Sequence, residues 1–167
     1  MWNKGLSYRE RHGLIEKNMN TKLNDDVNST IDKAEYNNSL GLVFFPAFDW
    51  KISETHPERQ ERLLYTRDQI VEEGLLDIPN IREYNPIVAD WDTIERVHVG
   101  APDLESWVTE AHRVSAGGAI AAADAVMRGE VDRAFALVRP PGHHAMAMVH
   151  GIRGFCTINI EAVMIQH

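Results

Sequence analysis

Two uninterrupted apolar runs, each long enough for one strand, constrain the fold of this chain more than any other feature. Residues 40–45 read Leu-Gly-Leu-Val-Phe-Phe, and residues 134–138 read Ala-Phe-Ala-Leu-Val. Runs that lack alternation with polar residues are typical of strands buried on both faces, as in parallel sheets. Because the stretches between them are patterned as helices, the sequence predicts an α/β fold with a parallel sheet.

The segments around these runs supply the flanking helices and one further strand. We predict helices over residues 57–74, 90–97, 103–112, 115–128 and 159–167, and a second strand within residues 81–88. Pro57 would take the first position of the first helix, and Val71 would lie in its apolar stripe. Gly117 and Gly118 weaken an isolated helix, which indicates tight packing against a neighbour. The chain thus carries about three strands of a parallel sheet, an incomplete set for such a fold.

One domain accounts for most of the length. Residues 1–38 are polar and rich in asparagine, which is typical of an N-terminal arm, and residues 39–167 form the α/β domain. The arm is either a loosely held extension or a lid or contact in a homo-oligomer, and the sequence leaves these interpretations open.

The charge balance is acidic and bears on the partners. The chain has 17 basic and 25 acidic residues, a formal net charge of −8. Nucleic-acid binding depends on clustered Lys and Arg, so this balance argues against it. It is compatible with a cationic substrate, such as a lysine-rich tail or a polyamine, but solubility alone is the simpler explanation of the charge.

The compartment is predicted from cysteine usage and from apolar runs. A single cysteine, Cys156, excludes an intrachain disulfide and fits a reducing environment. No apolar run approaches the length of a membrane span, and the N-terminus lacks the apolar stretch of a signal peptide. We therefore expect a cytoplasmic protein without a membrane partner.

Paired histidines follow the last apolar run and are the first candidates for chemistry. The segment after residue 138 reads Arg-Pro-Pro-Gly-His-His-Ala, which places His143 and His144 behind a stiff bend. Strand ends of parallel sheets gather functional groups, and imidazole transfers protons near neutral pH. A pair with a purely structural role is the alternative.

A metal site made from this segment is the second interpretation to weigh. His143, His144, His150 and Cys156 are all ligand types within a short stretch. Adjacent histidines rarely both reach one ion, and no CxxC or HExxH spacing occurs. The residues therefore disfavour a zinc site, and we predict no metal ligand set in this chain.

Further candidates lie near the same sheet edge. Gly154 and Phe155 could provide close backbone approach and an apolar wall, and Cys156 is either an inert buried thiol or a nucleophile beside a histidine. Arg62 could bind a carboxylate, although a solvated helix charge is simpler. Asp103 is most simply a helix N-cap.

Taken together, these motifs resemble the histone deacetylase family, the arginase-like zinc amidohydrolases that include acetylpolyamine amidohydrolases. The matching segments occur in the family's order over about residues 40–167: His56-Pro57-Glu58-Arg59 with Arg62, Arg96-Val97-His98, Ala116-Gly117-Gly118-Ala119, Leu137 to Ala145, and Gly154-Phe155-Cys156 before Asn159. The Arg-Pro-Pro-Gly-His-His-Ala string looks most like the class II and bacterial branch.

The resemblance implies a role for each matching residue. His143 and His144 would be the tandem histidines that activate a zinc-bound water, with His144 the usual base. Gly154 and Phe155 would line the tunnel for an acyl-lysine or acetylpolyamine stem. Arg62 would lie near the internal pocket where acetate leaves, and Asp103 falls near a substrate-gripping rim aspartate, although its spacing departs from the family.

The family's zinc ligands are absent from this chain. Neither the Asp-x-Asp-x-His-His motif nor the later aspartate and tyrosine occurs before His167. The resemblance therefore implies Zn²⁺ for the complete enzyme, with ligands beyond residue 167, and a truncated chain that is inactive by itself. A non-catalytic remnant or interaction module that keeps half of the fold is the alternative, and a cysteine hydrolase using Cys156 is a third.

Overall fold

The computed structural model describes residues 38–48, 50–99, 106–148 and 155–167. Three residues that the sequence analysis singles out, Asp103, His150 and Gly154, lie outside these ranges. The predicted arm over residues 1–38 lies outside them as well, apart from its last residue.

A parallel sheet forms the centre of the described domain. Its strands are β1 (Leu40–Phe45), β2 (Ile81–Tyr84) and β3 (Arg133–Val138), in the order β2-β1-β3. Both neighbours run parallel to β1, which pairs Leu42 with Glu83 on one side and with Phe135 on the other. The predicted incomplete α/β sheet is thereby confirmed, and the carboxyl ends of all three strands lie at one edge.

Among the described residues, four helices flank the sheet: α1 (Gln60–Glu72), α2 (Trp91–Glu95), α3 (Ser106–Met127) and α4 (Ile160–Gln166). A single 3₁₀ turn, Leu75–Asp77, follows α1. In the described part of the chain, no helix combines the length and apolar character needed to cross a bilayer. A buried hydrophobic cluster lies among α2, α3 and α4 and comprises Ala89, Ile94, Ala116, Ile120, Ile158, Ile160 and Val163.

Small residues allow α3 to approach the chain closely. A Cβ on Gly117 would lie 1.9 Å from the carbonyl oxygen of Ile87, and one on Gly118 would lie 2.6 Å from a methyl of Val138. Arg113 fixes the Ile87 segment in place, because its Nε donates to the Ala89 carbonyl at 2.9 Å. The close packing predicted at this glycine pair is present.

Helix α1 lies against the opposite face of the sheet. The guanidinium of Arg67 stacks over the Phe44 ring at 5.3 Å, and it also bonds the carboxylate of Glu83 in β2 at 2.7 Å. Phe44 and the buried Val43 point to opposite faces because successive strand residues alternate. The two faces of β1 are therefore covered by different helices.

Two predicted helices are in fact one. The sequence predicts one helix over residues 103–112 and another over residues 115–128, whereas α3 runs without a break from Ser106 to Met127. The glycine pair weakens only an isolated helix, and here packing against the Ile87 segment and the sheet outweighs that propensity.

The burial of two elements also differs from expectation. β3 is not buried on both faces, since Phe135 is 55% exposed, although Leu137 on the same face is buried. β3 lies at an edge of the described sheet, with β1 as its one strand neighbour there. Helix α1 begins at Gln60 rather than at Pro57, and Val71 is 49% exposed rather than part of a buried stripe.

Candidate functional site

The bend that carries the histidines is held by close backbone packing. A Cβ on Gly142 would lie 2.3 Å from the Ile158 carbonyl oxygen, so only glycine fits at this position. The hydroxyl of Ser115 in α3 donates to the Pro140 carbonyl at 2.6 Å within the core. The residues after β3 therefore leave the sheet along a fixed path.

His143 and His144 lie together at the end of this path. Their ring centroids are 4.1 Å apart with an interplanar angle of 63°, and both side chains are exposed. Successive residues of an extended strand would point to opposite sides, but the turn places both rings on the same side. Two imidazoles this close are suited to sharing or passing a proton.

Cys156 lies beneath the histidine pair. Its side chain is 1% exposed, and burial raises the pKa of the thiol, although the backbone N–H of His144 hydrogen-bonds the sulfur and opposes that rise. A protonated, buried thiol is a poor nucleophile. This geometry favours the inert-thiol interpretation over the cysteine hydrolase.

Phe155 forms an aromatic wall against the segment after β1. Its ring meets that of His56 edge to face, with centroids 4.9 Å apart. The His56 ring is fixed because its Nδ1 accepts a hydrogen bond from the Glu58 backbone N–H at 3.0 Å. Phe155 has a φ of 55°, which is unusual for a bulky residue and is the kind of strained geometry found at functional sites.

Arg139, to which the sequence analysis gave no role, joins the two halves of this edge. It is fully buried, and its guanidinium donates to the Glu58 carboxylate at 3.0 Å. It also donates to the carbonyls of Pro46 and Ala47 at 2.7 and 2.8 Å, and it stacks over the Trp50 ring at 4.8 Å. The sequence gives one signal for this contact. Arg139 stands between an apolar strand and two prolines, and Glu58 lies in an upstream loop.

Arg62 lies in the first turn of α1 and points to solvent more than to the site. Its side chain is half exposed and forms an ion pair with Glu58 at 3.1 Å, one helical turn earlier. Glu58 thus contacts two arginines, the exposed Arg62 and the buried Arg139. The described contacts of Arg62 are those of a helix-surface charge.

His98 was recognised only as part of a motif, and the structure gives it a positioning role. The Asn159 backbone N–H donates to its Nε2 at 3.0 Å, so Nδ1 carries the proton and donates to the Met146 carbonyl at 3.0 Å. Asn159 in turn caps α4 and bonds the Ala145 carbonyl at 2.9 Å. Burial lowers the pKa of His98, which keeps the ring neutral.

Ligand atoms for a metal converge at one place among the described residues. His143, His144 and Cys156 offer atoms that all lie within 4.8 Å of one another, and no carboxylate belongs to the group. A hydrolytic zinc that used both imidazoles as ligands would leave no base beside it. The described residues therefore do not fit the catalytic zinc that the resemblance implies.

Comparison with known proteins finds similarity to one family. The family model described as the histone deacetylase domain matches residues 103–167. A probable deacetylase of Archaeoglobus fulgidus is 37% identical over 145 residues, which cover 75% of this chain and 40% of that protein. The polyamine deacetylase HDAC10 of Mus musculus is 28% identical over 141 residues, covering 71% of this chain and 21% of its own length.

A solved structure has the same architecture. The HDA15 HD domain superposes with a TM-score of 0.63 at 25% identity, covering 77% of this chain and 42% of that one. The fold places the chain in the class of arginase/deacetylase-like α/β domains, of which it forms an incomplete part. The family-model match and these similarities support the histone deacetylase family for this chain. It spans less than half of the length of each of these relatives.

Proposed function

We propose that this chain provides the tandem-histidine portion of a zinc-dependent deacetylase that hydrolyses acetyl-amide bonds. The observation that carries the proposal is the pair of exposed imidazoles, 4.1 Å apart, on a rigid bend at the carboxyl edge of β3. Similarity to a family of deacetylases gives that pair its reaction class.

Proton transfer is the proposed task of the two histidines. One imidazole accepts the proton of the attacking water, and the pair then returns a proton to the amine that leaves. We assign His144 as base and His143 as its electrostatic partner. General acid–base groups of this kind contribute typically about 10²- to 10⁴-fold to the rate.

The zinc ion of the proposal is held by residues other than those described. When bound, such an ion supplies a polarised carbonyl and an activated water. This chain's own residues provide the base, its partner and the walls that position the acetyl-amide.

Substrate contact is proposed for residues around the histidines. Phe155 packs edge to face on His56 and would flank the methylenes of the substrate stem. Gly154, Arg62 and Asp103 belong to the proposal through the family resemblance alone.

The substrate is proposed to be an acetylated lysine peptide or an acetylpolyamine. The acidic net charge of −8 supports a cationic substrate of either kind. A cytoplasmic location and the absence of nucleic-acid and membrane partners remain part of the proposal.

The test measures hydrolysis of an acetyl-lysine peptide and of an acetylated polyamine by the complete protein that contains this chain. His143→Ala and His144→Ala should each lower kcat by at least about 100-fold, and a zinc chelator should abolish turnover. His167→Asn is the matched control, because His167 is an exposed histidine whose described ion-pair partner is Asp124, a residue of α3. Activity that survives chelation and both alanine substitutions would overturn the mechanism.

A further inference from the structure

We propose that His143, His144 and Cys156 form a binding site for one soft metal ion, distinct from the zinc that deacetylation requires. The three side chains come from two segments, the bend after β3 and the turn before α4. The site is therefore a product of the fold, and sequence spacing by itself disfavours it.

Distances allow the three groups to share one ion after a small adjustment. Their ligand atoms lie within 4.8 Å of one another. In a tetrahedral site with bonds of about 2.1 Å to nitrogen and about 2.3 Å to sulfur, ligand atoms lie about 3.5 Å apart. To bind one ion, any two of these ligand atoms must therefore move closer together by at most about 1.3 Å. Rotation of the two exposed imidazoles between nearby side-chain torsions supplies a movement of this size.

The usual objection to adjacent histidine ligands does not apply to this geometry. Neighbouring side chains commonly diverge, but the two rings here lie on one side of the chain with centroids 4.1 Å apart. Gly142 holds the bend that causes this, since its backbone packs directly on the Ile158 carbonyl. The rings are thus brought together before any ion arrives.

The ligand chemistry selects a soft or borderline ion. One thiolate and two imidazoles suit Zn²⁺, Cu⁺ or Cd²⁺, whereas Mg²⁺ and Ca²⁺ require oxygen ligands. Cys156 forms the buried base of the site and the two imidazoles form its solvent side, which leaves a fourth position for water. Binding transfers the thiol proton to solvent and forms the metal–sulfur bond, with no change of oxidation state.

An ion in this position would inhibit the proposed reaction. The imidazole lone pairs that bind the ion are those that would otherwise accept a proton. This inhibitory consequence rests on the proposed function, whereas the binding site does not. A binding measurement therefore separates the two.

Titration of the full 167-residue chain with Cd²⁺ tests the site, because Cys156 is its single thiol and any thiolate-to-cadmium absorption in the ultraviolet must come from it. We expect one ion per chain. His143→Asn and His144→Asn should each weaken binding by at least about tenfold, and Cys156→Ser should remove the absorption band. His167→Asn is the control and should leave the midpoint of the cadmium titration unchanged.

The two histidine variants keep the test informative if Cys156→Ser fails to fold, because both rings are exposed and circular dichroism can confirm that these variants are folded. Cadmium binding with an unchanged midpoint in His143→Asn and His144→Asn would overturn the proposal. A saturated thiolate band at one ion per chain that depends on both histidines would establish it. Mg²⁺ at the same concentration should neither produce the band nor displace Cd²⁺.

Discussion

At the scale of single residues, the histidine pair depends on a buried arginine in the same segment. Arg139 links the chain after β3 to Glu58 and to two carbonyls after β1. Burial lowers the pKa of Arg139, and its ion pair with Glu58 opposes that effect. The residue remains charged inside the protein because its guanidinium contacts a carboxylate, two carbonyl oxygens and an aromatic face.

Replacing this arginine should destabilise the domain strongly. Arg139→Met leaves the Pro46 and Ala47 carbonyls without their donor and Glu58 without its buried partner, at a cost of about 3 kcal/mol in the free energy of unfolding. Urea denaturation followed by circular dichroism measures this change. Arg62→Met is the matched control, since it removes the half-exposed partner of the same carboxylate and should cost less than about 1 kcal/mol. Equal losses in the two variants would contradict the argument.

His98 predicts a pH dependence of stability. Its pKa is lowered by burial, while the bond to the Met146 carbonyl opposes that shift. The unfolded chain takes up a proton on this residue near its ordinary pKa of about 6.5, and the folded chain does not. Because the unfolded state then binds more protons, the free energy of unfolding should fall as pH decreases below about 6.5.

The measurement compares urea unfolding of the wild type and His98→Gln at about pH 7.5 and about pH 5.5. The variant should be less stable at both values, because Asn159 and Met146 lose a partner, but its stability should vary less between them. An identical pH dependence in both proteins would show that His98 does not contribute to it.

Residue patterns revealed part of this site and not the rest. The bend and its two histidines could be identified because proline, glycine and histidine act through local geometry. The roles of Arg139 and His98 depend on partners far along the chain, Glu58 and Asn159. Nothing local to those residues specifies such contacts, so only the fold could reveal them.

At the scale of elements, α3 determines how closely the helix layer approaches the sheet. The sequence correctly predicts close packing at the glycine pair of α3. The break in the helix that it predicts before this pair is wrong. Helix propensity is a local quantity, whereas the continuity of α3 is stabilised by the chain segment that Arg113 holds against it. The strands were predicted more accurately because their apolar runs are short and bounded by turn residues.

The two glycines of α3 should differ in their tolerance of a methyl group. On Gly117 a Cβ would meet the backbone of Ile87 at 1.9 Å, and that backbone is held by hydrogen bonds on both sides of Ala89. Gly117→Ala should cost about 3 kcal/mol in spite of a gain of about 1 kcal/mol in helix propensity. Gly118→Ala meets a methyl of Val138, which can shift, so its cost should be smaller. Thermal and urea unfolding of both variants measure the two losses of stability. A larger loss in Gly118→Ala than in Gly117→Ala would contradict this prediction.

At the scale of the whole molecule, β3 leaves an apolar surface at an edge of the described sheet. Its outer backbone groups have no strand partner among the described residues, and Phe135 is 55% exposed on the same face of the sheet as Phe44. Unpaired edges with apolar side chains promote association between chains. The possible homo-oligomer of the sequence analysis therefore has a specific surface from which it could form.

Self-association through this surface predicts a concentration dependence that a single charge should reduce. Sedimentation velocity of the 167-residue chain should show species larger than the monomer, and Phe135→Lys should shift the distribution toward the monomer, since a charge on an exposed strand opposes pairing. Met127→Lys is the matched control, because Met127 is an apolar residue that is 84% exposed at the end of α3 and is not part of β3. If Phe135→Lys and Met127→Lys change the distribution equally, the association does not depend on β3, and net charge alone accounts for the effect.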